Sequence, residues 1–171
     1  MEIKLDRLKE YFSEHDIEWR VANSGMNAGK PWAVVLAYVT NRAIMDRLDN
    51  VVGPENWKNE YREWHGNSQL CGISIRINGE WVTKWDGADN TNIESTKGGL
   101  SDSMKRAAVQ WGIGRYLYNF PSNFAIFIDD KNKNAKYKAK IKTGPGQNDH
   151  VWLGWNPPAI PKIYLPKRTE E

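Results

Sequence analysis

The chain has 171 residues, 40% hydrophobic and 26% charged, enough for one domain with a real core, or one domain and a tail. Its single cysteine, Cys71, excludes a disulfide framework and a thiolate metal site, and suits a reducing cytoplasm. No apolar run approaches the length of a membrane span, and Met-Glu-Ile-Lys-Leu-Asp is too charged to open a secretory signal. The net charge of +3 hides an asymmetry: residues 1–130 hold 15 Lys/Arg against 18 Asp/Glu, and residues 131–171 hold 9 against 3. Any nucleic-acid surface is therefore local. Nine Trp and seven Tyr are many for this length, and such side chains stack on bases and anchor interfaces as well as filling cores.

Taken in chain order, Leu5, Leu8, Tyr11 and Phe12 predict a short amphipathic helix over Ile3 to Glu14. Ser24 to Lys30 reads as a Gly/Asn-rich loop. Pro31 suits the first turn of a second helix, running through WAVVLAYVTNRAIMDRLD and stopping near Gly53-Pro54. Its early part is apolar on almost every side, which predicts deep burial, or burial against a second subunit. Three strands follow: Trp57 to Trp64, Leu70 to Ile77 with Cys71, Ile73, Ile75 and Ile77 on one face, and Glu80 to Trp85. Gly66-Asn67-Ser68 and Asn78-Gly79 turn them into an antiparallel meander.

Ser95 to Gln110, STKGGLSDSMKRAAVQ, is the next helix, with Leu100, Met104, Ala107 and Trp111 in one stripe. Lys105 and Arg106 fall on the opposite side, either as a solvated face or as a rigid anion-binding pair. The expected fold class is α+β, an antiparallel three-stranded β-meander packed against helices in the order α-α-β-β-β-α. Residues 1–130 form the expected core domain, and 131–171 a basic strand with a Pro/Trp-rich C-terminal arm.

In that arm Lys131 to Lys142 carries six lysines and no acid. From Lys136 the lysines alternate with Tyr137, Ala139 and Ile141, predicting a strand with one basic face. It is either a solvated edge protected by lysine or an electrostatic strip for phosphate. HVWLGWNPPAIPKIYLPK reads as too Pro-rich for regular structure.

Several enzyme signatures are missing. No Gly-x-x-x-x-Gly-Lys-Ser/Thr loop is present, and Gly112-Ile113-Gly114 follows a helix rather than a strand, so it is a helix C-terminal turn and no dinucleotide fingerprint. His15, His65 and His150 lack metal-ligand spacing. Asp86, Asp89 and Glu94 are the richest acidic group. They read as turn and N-cap residues, or else as ligands of a two-metal nuclease.

LDNVVGPENW (Leu48 to Trp57), the strand pair ending TKWDGA, and above all SDSMKRAAVQWGIGRYLY resemble the Rad-fifty-two superfamily of single-strand annealing proteins, in its phage (Sak-type) and bacterial (DdrA-type) branch. The resemblance covers roughly residues 3 to 120. It implies an α-β-β-β-α core assembled into an oligomeric ring or helical arc, with single-stranded DNA in an outer groove and annealing without nucleotide hydrolysis or any cofactor. It places Lys105 and Arg106 at the base of that groove and another groove arginine near Arg42. Lys97, one helical row before Lys105, and Arg115 complete the expected DNA-contacting set. Val109 departs from the eukaryotic branch, where a further basic residue is expected.

The resemblance further implies a non-enzymatic protein of the bacterial or phage-infected cytoplasm. Its partners are single-stranded DNA, its own copies, and a host single-strand-binding protein or nuclease. Two alternatives stand beside it. A double-stranded RNA-binding module shares the element order and would carry its basic pair nearer the helix N-terminus. A metal-dependent nuclease would use Asp86, Asp89 and Glu94.

Overall fold

The chain opens on two 3-10 turns, Leu5–Lys9 and Glu14–Asp16, in place of the helix expected over residues 3–14. Leu8 and Phe12 are buried as the apolar pattern requires. The segment's carbonyls, however, are taken by a side chain from elsewhere: Arg47 donates to Arg7 O, Glu10 O and Tyr11 O at 3.3, 2.7 and 3.3 Å. Its guanidinium also lies 4.1 Å from the Phe12 ring centre. Tertiary capture of those acceptors competes with the i→i−4 ladder of a helix too short to be stable alone. A computed structural model describes residues 4–65, 68–89, 95–121, 123–128, 134–144, 146 and 149–167, with side chains at all of these except 95–97.

The second expected helix is a strand followed by a helix. Strand β1, Ile17–Asn27, turns through Ala28 and Gly29, at φ 46° and 76°, into β2, Lys30–Val39. Two successive left-handed residues make the turn that matches strand twist. Trp32, Val34, Val35, Tyr38 and Val39 are β-branched or aromatic, and such side chains fit a pleated surface better than a helix. The helix α1, Asn41–Val52, starts only at Thr40, whose Oγ1 accepts the Ala43 N–H at 3.1 Å.

The meander forms as its alternation predicts, from β3, Trp57–Trp64, β4, Ser68–Ile77, and β5, Glu80–Asp89, all antiparallel. Asn78 and Gly79, at φ 52° and 90°, close the second hairpin. The first turn, at Gly66-Asn67, lies outside the described residues. Cys71, Ile73 and Ile75 are fully buried on one face. Helix α2, Ser95–Gln110, covers that face through Met104, Ala107 and Ala108, and just beyond it Trp111 donates its indole N–H to Ile73 O at 2.9 Å. The other face is covered in part by Trp85, whose ring lies so close over Gly72 that an added Cβ would meet it at 2.7 Å. Only glycine permits that approach.

The described chain is α+β, with two α-helices and three-stranded sheets ordered β1-β2-β6, β3-β4-β5 and β7-β9-β8. Here β6 is Asn123–Phe124, β7 is Ile126–Phe127, β8 is Tyr137–Lys142 and β9 is His150–Asn156. It divides into two compact units. The first holds residues 1–17, 38–119 and 164–171, with the meander and both α-helices; the second holds 18–37 and 120–163. Within the second unit, Tyr137, Ala139, Ile141 and Trp155 form the buried face of β8 and β9, and Tyr137 hydrogen-bonds the backbone of Trp19 on β1. The expectation that residues from His150 onward are irregular is therefore corrected: β9 runs to Asn156, and the prolines begin only at Pro157.

Candidate nucleic-acid interface

Helix α2 carries the expected basic pair in its C-terminal half, and each cation is held by a side chain from this unit. Arg106 Nε donates to Asp86 Oδ1 on β5 at 3.1 Å. Gln110, one turn later, donates to Asp86 Oδ2 at 2.9 Å, so one carboxylate grips two successive rows of the helix. Burial alone would raise the Asp86 pKa. The donors from Gln110, the Gly87 N–H and Arg106 outweigh it and hold the group below the ordinary carboxylate value. The Arg106 side chain stays 53% exposed. With Nε committed, its two terminal amines make no further hydrogen bond among the described residues, leaving a planar fork of donors suited to phosphate.

Lys105 is more sheathed than the helical wheel predicts. Its Nζ lies 4.4 Å from the centre of the Tyr38 ring and 3.5 Å from Asp102 Oδ1, one turn back on α2. Aromatic face and carboxylate together fix the ammonium direction. The C-terminal end of α2 is also restrained by cations. Arg115 donates to Val109 O at 2.9 and 2.7 Å and to Gln110 O at 2.9 Å, and Lys84 Nζ donates to Gln110 O at 3.0 Å. Both complement the negative end of the helix. Arg115 thus spends its donors on the helix end, while its side chain remains exposed.

Arg42 is exposed in the first turn of α1. Its neighbour Asn41 donates to Ser101 Oγ on α2 at 3.3 Å, which brings the start of α1 to the turn of α2 just before Lys105. The side chain of Lys97 lies outside the described residues, although its backbone is in α2. Sequence reasoning missed the positioning residues Asp86, Gln110, Tyr38 and Lys84. The Asp102–Lys105 spacing was the one brace readable from local sequence.

Over residues 2–137 the sequence matches the family model described as Rad52/22 family double-strand break repair protein. The chain belongs to this family. It is 37% identical over 137 residues to the single-stranded DNA-binding protein DdrA of Deinococcus radiodurans, covering 79% of this chain and 64% of that protein. To the single-stranded DNA-binding protein DdrA of Deinococcus deserti it is 32% identical over 129 residues, covering 74% and 62%. The chain thus spans a little under two thirds of the length of these relatives. The basic pair, Arg42, Lys97, Arg115 and Asp86 all lie inside the family match, whereas β9 and all but the first residue of β8 lie beyond it.

The acidic constellation does not assemble among the described residues. Asp86 and Asp89 are three residues apart on β5 and so point to opposite faces; Asp89 accepts from Ser68 Oγ at 2.8 Å. Glu94 lies outside the described residues, and among those described no group of three or more His, Cys, Asp or Glu is placed to hold a metal. No described helix is long and apolar enough to cross a membrane. Cys71 is buried against Tyr61, and burial pushes its thiol pKa up to about 11, as befits a packed hydrophobe.

Proposed function

We propose that this chain binds single-stranded DNA through α2 and anneals complementary strands without nucleotide hydrolysis, in recombination and double-strand break repair. The carrying observation is the Lys105–Arg106 pair: two adjacent cations, fixed by Tyr38, Asp102 and Asp86, on a helix anchored by Met104 and Trp111, within a member of the Rad52/22 family. Family membership and the single-stranded DNA binding of the DdrA relatives support the substrate. Pre-set cations hold a strand by phosphate and sugar and leave its Watson–Crick edges outward for a second strand to test. Neutralising phosphates also releases counterions and lowers the repulsion between two strands.

Arg42 and Lys97 add phosphate contacts in this reading, and Arg115 serves by fixing the end of α2. Few cations per copy means weak binding, so the reading includes a homo-oligomer, a ring or helical arc, that repeats the contacts along one strand. It requires no catalytic group and no cofactor, and it places the protein in the cytoplasm of a bacterium or phage-infected cell. The double-stranded RNA alternative is disfavoured because the pair sits in the C-terminal half of α2.

The test is mass determination of the purified protein with and without oligonucleotide, alongside a fluorescence annealing assay lacking ATP. A multi-subunit particle that anneals in the absence of nucleotide is expected. A monomer inert toward oligonucleotides at low ionic strength overturns the proposal.

A further inference from the structure

The second compact unit presents a basic surface of its own. In β8, Lys138, Lys140 and Lys142 point away from the buried Ala139 and Ile141. On β9 their register partners are Gly154, Trp152 and His150. Directly paired residues on one face lie about 5 Å apart at Cβ, so Trp152 stands beside Lys140, with Lys138 and Lys142 on its diagonals. Trp152 is 58% exposed. No acidic residue shares this face of the two strands, and among the described residues none of the three lysines forms an ion pair.

Edge protection explains lysines on β8, which is the outer strand of its sheet. It does not explain a large exposed indole in the middle of them, since apolar surface there works against the purpose. An uncompensated row of cations flanking an open aromatic ring is the chemistry of a single-strand platform: phosphates lie along the lysines and a base stacks on the ring. Alternate residues of a strand repeat about every 6.7 Å, comparable with successive phosphates of a stretched single strand.

We infer that the β8–β9 face, Lys138, Lys140, Lys142 and Trp152, is a second contact for single-stranded nucleic acid, distinct from the α2 pair. It lies almost wholly outside the residues that match the family. The inference rests on the single-strand reading above, and its test separates the two.

Full-length protein is titrated with fluorescent oligothymidine by anisotropy across a salt series, with circular dichroism melting as the check on folding. Three variants are compared with wild type: the Lys138→Ala/Lys140→Ala/Lys142→Ala triple, the corresponding Lys→Arg triple, and Trp152→Ala. Each phosphate contact to a single strand contributes about −0.7 to the slope of log K against log salt, so the alanine triple should flatten it by about 2 per engaged protomer. The arginine triple should keep the wild-type slope. Trp152→Ala should weaken oligothymidine binding by about five-fold or more, as loss of base stacking requires, while leaving blunt-duplex binding unchanged.

An unchanged slope in a folded alanine triple, with wild type binding normally, assigns the lysines to edge protection and overturns the inference alone. Equal losses on strand and duplex for Trp152→Ala, or loss in both triples, give the residues a structural role and overturn it too. Wild-type protein that ignores oligothymidine at low salt overturns this inference and the α2 reading together.

Discussion

The two basic surfaces differ in how their cations are held. On α2, Arg106 answers to Asp86 and Lys105 to Asp102 and Tyr38, so charge is partly offset and direction is fixed. On β8, three lysines share a face with an exposed tryptophan and no carboxylate. The first arrangement loses long-range field and gains geometry, and the second does the reverse. A protein that must present a strand in one register needs the former where bases are tested, and the latter suits capture of the strand from solution.

Loosening the anchor under α2 should have the largest effect. Trp111→Ala removes a buried indole together with its hydrogen bond to Ile73 O, and should cost about 3–5 kcal/mol, read as a fall in the melting transition. A loss under about 1 kcal/mol would mean that α2 is not rigidly seated. Gly72→Ala, which drives a methyl into the Trp85 ring, should cost about 1–3 kcal/mol in the same assay. Wild-type stability there would show that the sheet's second face is loosely packed.

Changes at Asp86 should have a smaller effect. The Arg106 side of the pair is 53% exposed and therefore screened by solvent, so Asp86→Asn should cost only about 1 kcal/mol. The pKa is depressed in the folded state, so the carboxylate's contribution is present above the ordinary carboxylate range and is lost as pH falls through the lowered value. The wild-type excess over Asp86→Asn should therefore vanish in acid. An excess that grows as pH falls would contradict the assignment of Asp86 as brace. The smallest effect concerns Cys71: with its pKa near 11 and no exposure, it should resist thiol reagents at pH 8 until the protein unfolds.

The meander and α2 were legible because their signals are local. Cys71, Ile73 and Ile75 alternate, Asn78-Gly79 can hardly be anything but a tight turn, and Met104 and Ala107 keep helical spacing. β2 was not, because its apolar run blurs any period: Ala33 and Val35 are buried while Trp32 and Val34 are half-buried on the other face. The Ala28-Gly29 turn and the run of β-branched residues were the usable clues. β9 was masked by the prolines that follow it. In the candidate site, Lys105 and Arg106 were visible from the helical wheel. Their holders Asp86 and Tyr38 come from strands far along the chain, and only tertiary structure brings them in.

The DNA contact is proposed to lie on the fixed pair of α2. Its most direct test is Lys105→Ala with Arg106→Ala, assayed for oligonucleotide binding and ATP-free annealing beside particle mass and melting temperature. Both activities should fall by at least an order of magnitude while mass and melting stay near wild type, since the two side chains support no buried core. A folded, assembled double variant that binds and anneals like wild type would contradict the account.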